Sequence, residues 1–399
     1  MKKFLCAIGA LSCFNVYSAV DFSGHAFVRH EQKDNRDFLK KTQDRVSASL
    51  SRFRLNISAK NDQATKWDVF LQPQFSKVFG AKDSGNVSSG NVYDTGLNVH
   101  QAYINYHPAE KLTIRAGREE FNFGDQLMVG GVGWHHVGRS FDGLSFNGNW
   151  IANGKDVLFA SKLVDNNATT YSAGSKELYG FYHNQSLTKF IENFDLYYFY
   201  LTDSTALTTK TQIHTYGIRL KSKIDKLDYR VEANAQTGDT ANVSTAAHQY
   251  DLEIGHALPF WKSRFSVEYF SATKNYNQLF PTGHKWLGIA DMFSRRNVQG
   301  YAAHFSMMPT QDLKVKFDYH SFSRADSAVT AFNFSGGSYG TVGSKDDIAT
   351  EFDVTLEYAL DKALLLTYSY GHVAAGGYLK DQGAKDNMIF NYLQLIAKF

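Results

Sequence analysis

The sequence predicts an all-β chain, a transmembrane antiparallel β-barrel of about eighteen strands. Three observations carry that expectation. Nearly every segment after residue 19 alternates apolar with polar side chains, no apolar run is long enough for a membrane helix, and the chain stops on an alternating strand that ends in Phe399. Composition agrees. Aromatic residues reach 15%, with 23 Tyr and 31 Phe, yet hydrophobic residues total 43% and mean hydropathy is -0.35. A barrel wall needs that mixture, because each strand is half polar and both water–lipid boundaries take aromatic girdles. The 5 prolines suit long uninterrupted strands.

Taken in order, residues 1–19 read as a secretory signal peptide: Lys2 and Lys3, a short apolar run, then small residues up to Ala19. Residues 20–399 are then the barrel. Cys6 and Cys13 both fall in the leader, so the mature chain is expected to hold no disulfide or thiol chemistry. A lipoprotein reading of Cys13 is set aside, since Ala10-Leu-Ser-Cys13 is a poor match and a strand follows at once. Loss of Lys2 and Lys3 takes the formal charge from +3 to +1. That near-neutral total argues against a nucleic-acid partner and leaves selectivity to local charge placement.

The first strand, 20–32, sets Phe22, Ala26 and Val28 against His25, Arg29 and Glu31. The second, 45–60, sets Phe53, Leu55 and Ile57 against Arg52, Arg54 and Asn56, and the third, 65–79, sets Trp67, Val69 and Leu71 against Asp68, Gln72 and Gln74. Short joins at 61–64, 107–111, 150–154, 186–190, 224–227, 258–262, 308–312 and 360–363 alternate strictly with longer polar connections such as 81–95, 121–139, 275–297 and 324–348. Outer-membrane barrels have short periplasmic turns and long extracellular loops, so both termini are placed in the periplasm and the strand number is even. A soluble β-sandwich has no reason to sort its loops by length. Strands 141–150 and 194–203 carry aromatics on both faces, so their parity is ambiguous and sixteen strands fit as well. The last strand turns Ile389, Leu393, Leu395, Ala397 and Phe399 outward, with Gln394 and Lys398 inward.

Three stretches go beyond a generic barrel. One is Leu112-Thr-Ile-Arg-Ala-Gly-Arg-Glu-Glu-Phe-Asn-Phe-Gly-Asp-Gln-Leu127 leading to Arg139-Ser-Phe-Asp-Gly143. Another runs from Leu279 to Asn297 around His284-x-x-Leu287-Gly-x-Ala-Asp291, followed by Tyr319-His-Ser-Phe322. The third is Glu351-Phe-Asp353, continuing through Tyr368-Ser-Tyr-Gly-His372 to Phe399. In this order they resemble the alginate-export porin family of Gram-negative bacteria, from about Leu97 onward; where that family's pattern has Gly-Arg-Gln, this chain has Glu119. The resemblance implies an eighteen-stranded monomeric barrel in the outer membrane with a positively charged lumen for a polyanion. For a polymer exporter it also implies a periplasmic export scaffold and an inner-membrane synthase as partners; separately, the terminal aromatic Phe399 after an alternating strand resembles the signal read by the barrel-assembly machinery.

Inward parity gathers Arg29, Arg52, Arg54, Arg115, Arg219, Lys221, Arg230, Arg264, Lys314 and Lys316 as pore-lining candidates. Arginine suits carboxylates because its guanidinium pairs with them through two parallel bonds. The same faces carry Glu31, Asp68, Glu119, Glu232, Glu268, Asp318, Glu351, Asp353 and Glu357, so most cations are expected to brace the wall through cross-strand pairs. Arg52, Arg54 and Arg115 are the stronger candidates for ligand contact, while Arg118 has the opposite parity unless Gly117 makes a bulge. Loop 275–297 mixes aromatics with His284, Asp291, Arg295 and Arg296 and reads as a constriction or gate, with a packed extracellular cap as the alternative. Within it, Asp291 is expected to pair with Arg295 or Arg296, and His284 to be a hydrogen-bonded structural residue. Trp134-His135-His136 gives no metal set, because adjacent histidines point apart and no acid or Cys follows at ligand spacing. No nucleophile elbow, phosphate loop or zincin motif is present, so no catalytic residue and no cofactor is assigned. The expected function is a passive channel for an anionic saccharide or small carboxylate; the alternatives are a substrate-preferring uptake porin and an outer-membrane enzyme or adhesin.

Overall fold

In this computed structural model the described residues are 18–39, 45–61, 66–79, 96–152, 154–164, 174–206 and 208–399. The expected leader up to residue 17, both cysteines, most of the 61–64 join and the whole of connection 81–95 lie outside them. Period-two alternation resolves into eighteen antiparallel strands. The first six are β1 Ser18–Asp34, β2 Arg45–Asn61, β3 Trp67–Phe79, β4 Gly96–Ala109, β5 Leu112–Glu119 and β6 Phe141–Gly148. Next come β7 Lys155–Leu163, β8 Lys176–Gln185, β9 Asn193–Asp203, β10 Thr211–Ile224, β11 Leu227–Thr240 and β12 Val243–Ala257. The remainder are β13 Arg264–Ala272, β14 Val298–Met307, β15 Leu313–Ser323, β16 Asp347–Ala359, β17 Leu364–Ala375 and β18 Met388–Lys398.

Each strand pairs with its chain neighbours, and β1 pairs with both β2 and β18, so Val28 lies between Ser51 and Leu395. The sheet therefore closes and has no edge to offer another chain. Closure ends on Phe399, whose carbonyl accepts from the Gly24 amide at 2.8 Å and whose amide donates to Gly24 at 3.1 Å. Its ring stands 2.6 Å from where a Gly24 Cβ would be, so glycine is what lets the last residue lie flat on β1.

The outward residues form the lipid face: Phe22, Val28, Leu97, Ile104, Ile254 and Leu393 are all exposed. Trp150, Phe190, Phe260 and Trp261 sit exposed at the short turns, and tyrosine pairs such as the stacked Tyr179–Tyr200 and the tilted Tyr198–Tyr216 ring the wall nearer its other end. These are the two girdles that amphipathic rings form at lipid boundaries. The expected strict alternation of loop lengths breaks down in two places: the joins 186–192 and 204–210 are equally long, and the β11–β12 join is short. Between β11 and β12 stand two residues, Ala241 and Asn242, at the end where long loops belong. Both have positive φ, 51° and 66°, the geometry of a two-residue hairpin whose twist matches its strands. The strands there are long, at 14 and 15 residues, so the hairpin projects as a loop would.

The interior is filled rather than hollow. Loops 120–140 and 273–297, with 324–346 and the short helix Gly377–Asp381, fold inward and build one apolar core with the wall. Phe121, Phe141, Phe159 and Phe199 pack ring on ring in that core, the closest pair 4.5 Å apart. This explains the two-sided aromatics of β6 and β9. Their inward rings face a loop, and their outward rings face lipid. Arg324, buried, holds loop 324–346 by donating to the carbonyls of Ser327, Val329, Gly343 and Lys345. A buried guanidinium needs that many acceptors, because an unsatisfied one costs more than the bonds return.

Candidate functional site

The lumen narrows where loop 120–140 crosses it, and wall arginines hold that loop by its carbonyls. Arg29 donates to Trp134 O at 2.9 Å, Arg52 to His135 O at 2.7 Å and Arg54 to Val137 O at 3.0 Å, joined there by Gln74 at 2.9 Å. Arg54 also pairs with Glu120 at 3.0 Å, and Glu120 meets His100 at 2.5 Å. On the opposite wall Asp125 takes Arg219 at 3.0 Å and Lys221 at 2.9 Å, while Lys285 donates to its carbonyl at 3.0 Å. Burial alone would raise the Asp125 carboxyl, but Arg219, Lys221 and Lys285 together hold it below its ordinary value.

Loop 273–297 crosses from the other side and meets the first loop. Val129 and Phe280 form a parallel bridge, Gly130 donates to Phe280 O at 2.9 Å, and Thr282 donates to Gln126 O at 3.0 Å. Arg139 caps the junction on the carbonyls of Phe280, at 2.5 Å, and Pro281, at 3.0 Å. The Trp134 and His284 rings stack at 3.7 Å and 5°, with the Arg29 guanidinium 3.5 Å from the indole. Beyond this junction the loop tip docks on β16. The Ala290 amide donates to Glu351 at 2.9 Å, the Ile289 amide points to Asp353 at 3.4 Å, and Lys33 donates to Ala290 O at 2.6 Å. Gly288 has φ +83° and lies against the Glu351 carboxyl, where a side chain has no room. The three stretches that carried the family resemblance thus converge at one loop–loop–wall junction.

The predicted residues sort by depth. Arg29, Arg52, Arg54, Arg219 and Arg230 are at most 5% exposed and anchor loops or pair with acids. Arg230 meets Asp251 at 2.7 Å and Glu253 at 3.1 Å, and Arg264 pairs with Asp228 and with Glu253 at 2.9 Å. Lys316 pairs with Glu357, and Lys314 has no ion pair among the described residues. Arg54 and Arg115, two of the stronger candidates for ligand contact, pair with Glu120 and Glu119 at 3.0 Å each. The pairing expected within loop 275–297 is corrected. Asp291 pairs with His284 at 3.0 Å, not with Arg295 or Arg296. Arg295 instead reaches Asp251 on the wall at 2.7 Å, and Arg296 turns away to Lys274 O and the Phe332 ring. Arg118 has the parity opposite to Arg115, as expected without a bulge at Gly117: β5 keeps its register with β4 there, and Arg118 faces outward on Asp142 at 2.7 Å. Loop 273–297 packs against loop 120–140 and reaches β1 and β16 on the wall. Lys33, Glu120, Asp125 and Lys285 went unassigned in the sequence. Lys33 continues the parity of Arg29 and Glu31, and was missed because β1 runs to Asp34.

A closed strand barrel with an apolar belt and a charged lumen narrowed by inward loops is an outer-membrane channel of the porin class. The chain belongs to the Alginate export family, whose profile matches residues 18–390. No curated protein matches it. Among solved structures it resembles Pseudomonas aeruginosa OpdO, with a TM-score of 0.68 at 10% identity over 95% of this chain and 97% of that one. Acinetobacter baumannii OccAB1 gives 0.66 at 13% identity over 95% and 97%, and P. aeruginosa OccK8 (OprE) gives 0.64 at 12% over 95% and 98%. At such identities these likenesses speak for the fold.

Proposed function

We propose that this outer-membrane channel passes anionic saccharides or small carboxylates past a closure formed by loops 120–140 and 273–297. The observation that carries the reading is the sorting of lumenal cations. The deep arginines are buried as they anchor loops or pair with acids, whereas Lys221, Arg264, Lys316 and Arg115, each also paired with an acid, keep 45%, 34%, 33% and 26% of their side chains exposed to the lumen. Those are the charges a passing carboxylate meets. No side chain is asked to do covalent chemistry, and no cofactor is needed. Residues 1–19 act as the leader that sends the chain through the periplasm, and the closing strand with Phe399 is the segment offered to the barrel-assembly machinery.

The chemistry of the closure favours a second reading alongside polymer export, uptake of small solutes by a substrate-preferring porin. Hydrogen bonds and stacked rings tie the two loops together at their junction, so a polymer must displace contacts that a small carboxylate passes beside. The test compares wild type with Arg264→Gln plus Lys316→Gln, two exposed cations that pair only with acids of the wall, in a planar bilayer across a salt gradient. The reversal potential shifts towards cations if these side chains set selectivity; an unchanged potential refutes the proposal.

A further inference from the structure

Aromatic rings inside this barrel fall into two sets. Phe121, Phe141, Phe159, Phe199 and Tyr197 are at most 4% exposed, because loop 120–140 and the wall cover them. Phe70 on β3 and Tyr103 on β4 also point inward but lie below that loop, towards the short-turn end, and both stay partly open. Their rings stack with centroids 5.1 Å apart at 25°, and the Arg115 guanidinium lies 3.9 Å over Tyr103. Across β2 the residue opposite Phe70 is Ser58, too small to cover the free face of the ring.

Polar rows bracket the pair. One pleat nearer the periplasm, Asp68 accepts from Asn105 at 2.7 Å and meets His107 at 2.7 Å. One pleat nearer the closure, Gln101 donates to Gln72 at 3.3 Å and accepts from the Glu120 amide at 3.1 Å, the first residue of loop 120–140. Open aromatic area in a wall otherwise turned polar to water is what needs a reason.

We infer that Phe70 and Tyr103 form a saccharide platform on the periplasmic approach to the closure. The C–H face of a pyranose is apolar and slightly positive, and it lies on the negative face of an aromatic ring. The hydroxyls at its edge both donate and accept, as the Asp68 and Gln72 rows require. Arg115, on the same patch, pairs with Glu119 yet keeps 26% of its side chain exposed, and that exposed guanidinium suits the carboxylate when the sugar is a uronate. The platform rests on the channel reading and narrows its cargo to sugars.

The test measures current block by oligouronate, by neutral maltohexaose and by citrate, each added on the short-turn side, in wild type and in Phe70→Ser plus Tyr103→Ser. Wild type is blocked by both saccharides, and the double variant weakens both by roughly tenfold while citrate block and reversal potential stay as they were. Phe70→Tyr, which keeps a ring, retains the block and shows that the wall still folds. Equal saccharide block in wild type and the double variant, or no saccharide block in wild type, overturns the platform and leaves the channel standing. A wild-type protein without conductance defeats the channel reading itself.

Discussion

Arg54 shows at the scale of one residue what parity reveals and what it hides. Alternation along β2 turns it inward, but its partner Glu120 lies 66 residues away on a loop, and contacts of that separation leave no local trace. Arg115 differs, because its partner Glu119 lies four residues along the same strand, whereas the inward acids were expected to pair across strands. Breaking a buried pair by removing one charge costs about 3–5 kcal/mol, so Arg54→Gln is expected to loosen loop 120–140 and raise open-channel noise in single-channel records while the barrel stays folded. The pH response follows from Asp125. Its carboxyl is held below the ordinary 3.8, so the anchoring on Arg219 and Lys221 is fully present above that value and is lost as pH falls through the lower folded one. Conductance noise should therefore stay flat from neutral pH down to about 5 and rise only in stronger acid. A rise around neutrality would mean another group holds the loop.

At the scale of elements, strands were legible and loops were not. Phe53 against Arg54 states the β2 faces within two positions, whereas nothing local to Gly288 or Ala290 says that they meet Glu351 across the lumen. The His284-to-Asp291 motif marked the right residues but gave the wrong pairing, since Arg295 is drawn off by Asp251 on β12. Gly288→Val places a branched side chain against Glu351 at a positive φ and should lift the loop tip, giving a larger and more variable conductance than wild type. Unchanged conductance would show that the tip lies away from the conducting path. The β11–β12 hairpin escaped the length rule because two residues sufficed to turn it. Ala241 sits at φ 51°, where a Cβ is strained, so Ala241→Gly is expected to raise unfolding stability by about 0.5–1 kcal/mol in a denaturant titration.

At the scale of the whole molecule, composition, alternation and the closing strand on Phe399 were sufficient for the barrel, because each strand reports its own two faces. The closure depends on chain segments far apart in sequence meeting inside that barrel, and only their family motifs hinted at it. The lumen that results is nearly balanced in charge, with its deep arginines committed to loops and its exposed cations on the wall below. Selectivity for carboxylates is the central claim, and the direct measurement is the reversal potential of the mature protein in a planar bilayer, followed by titration with oligouronates of increasing length. Anion preference with current block that tightens with length is the predicted result. A cation-preferring or unselective conductance that oligouronates leave untouched would contradict it.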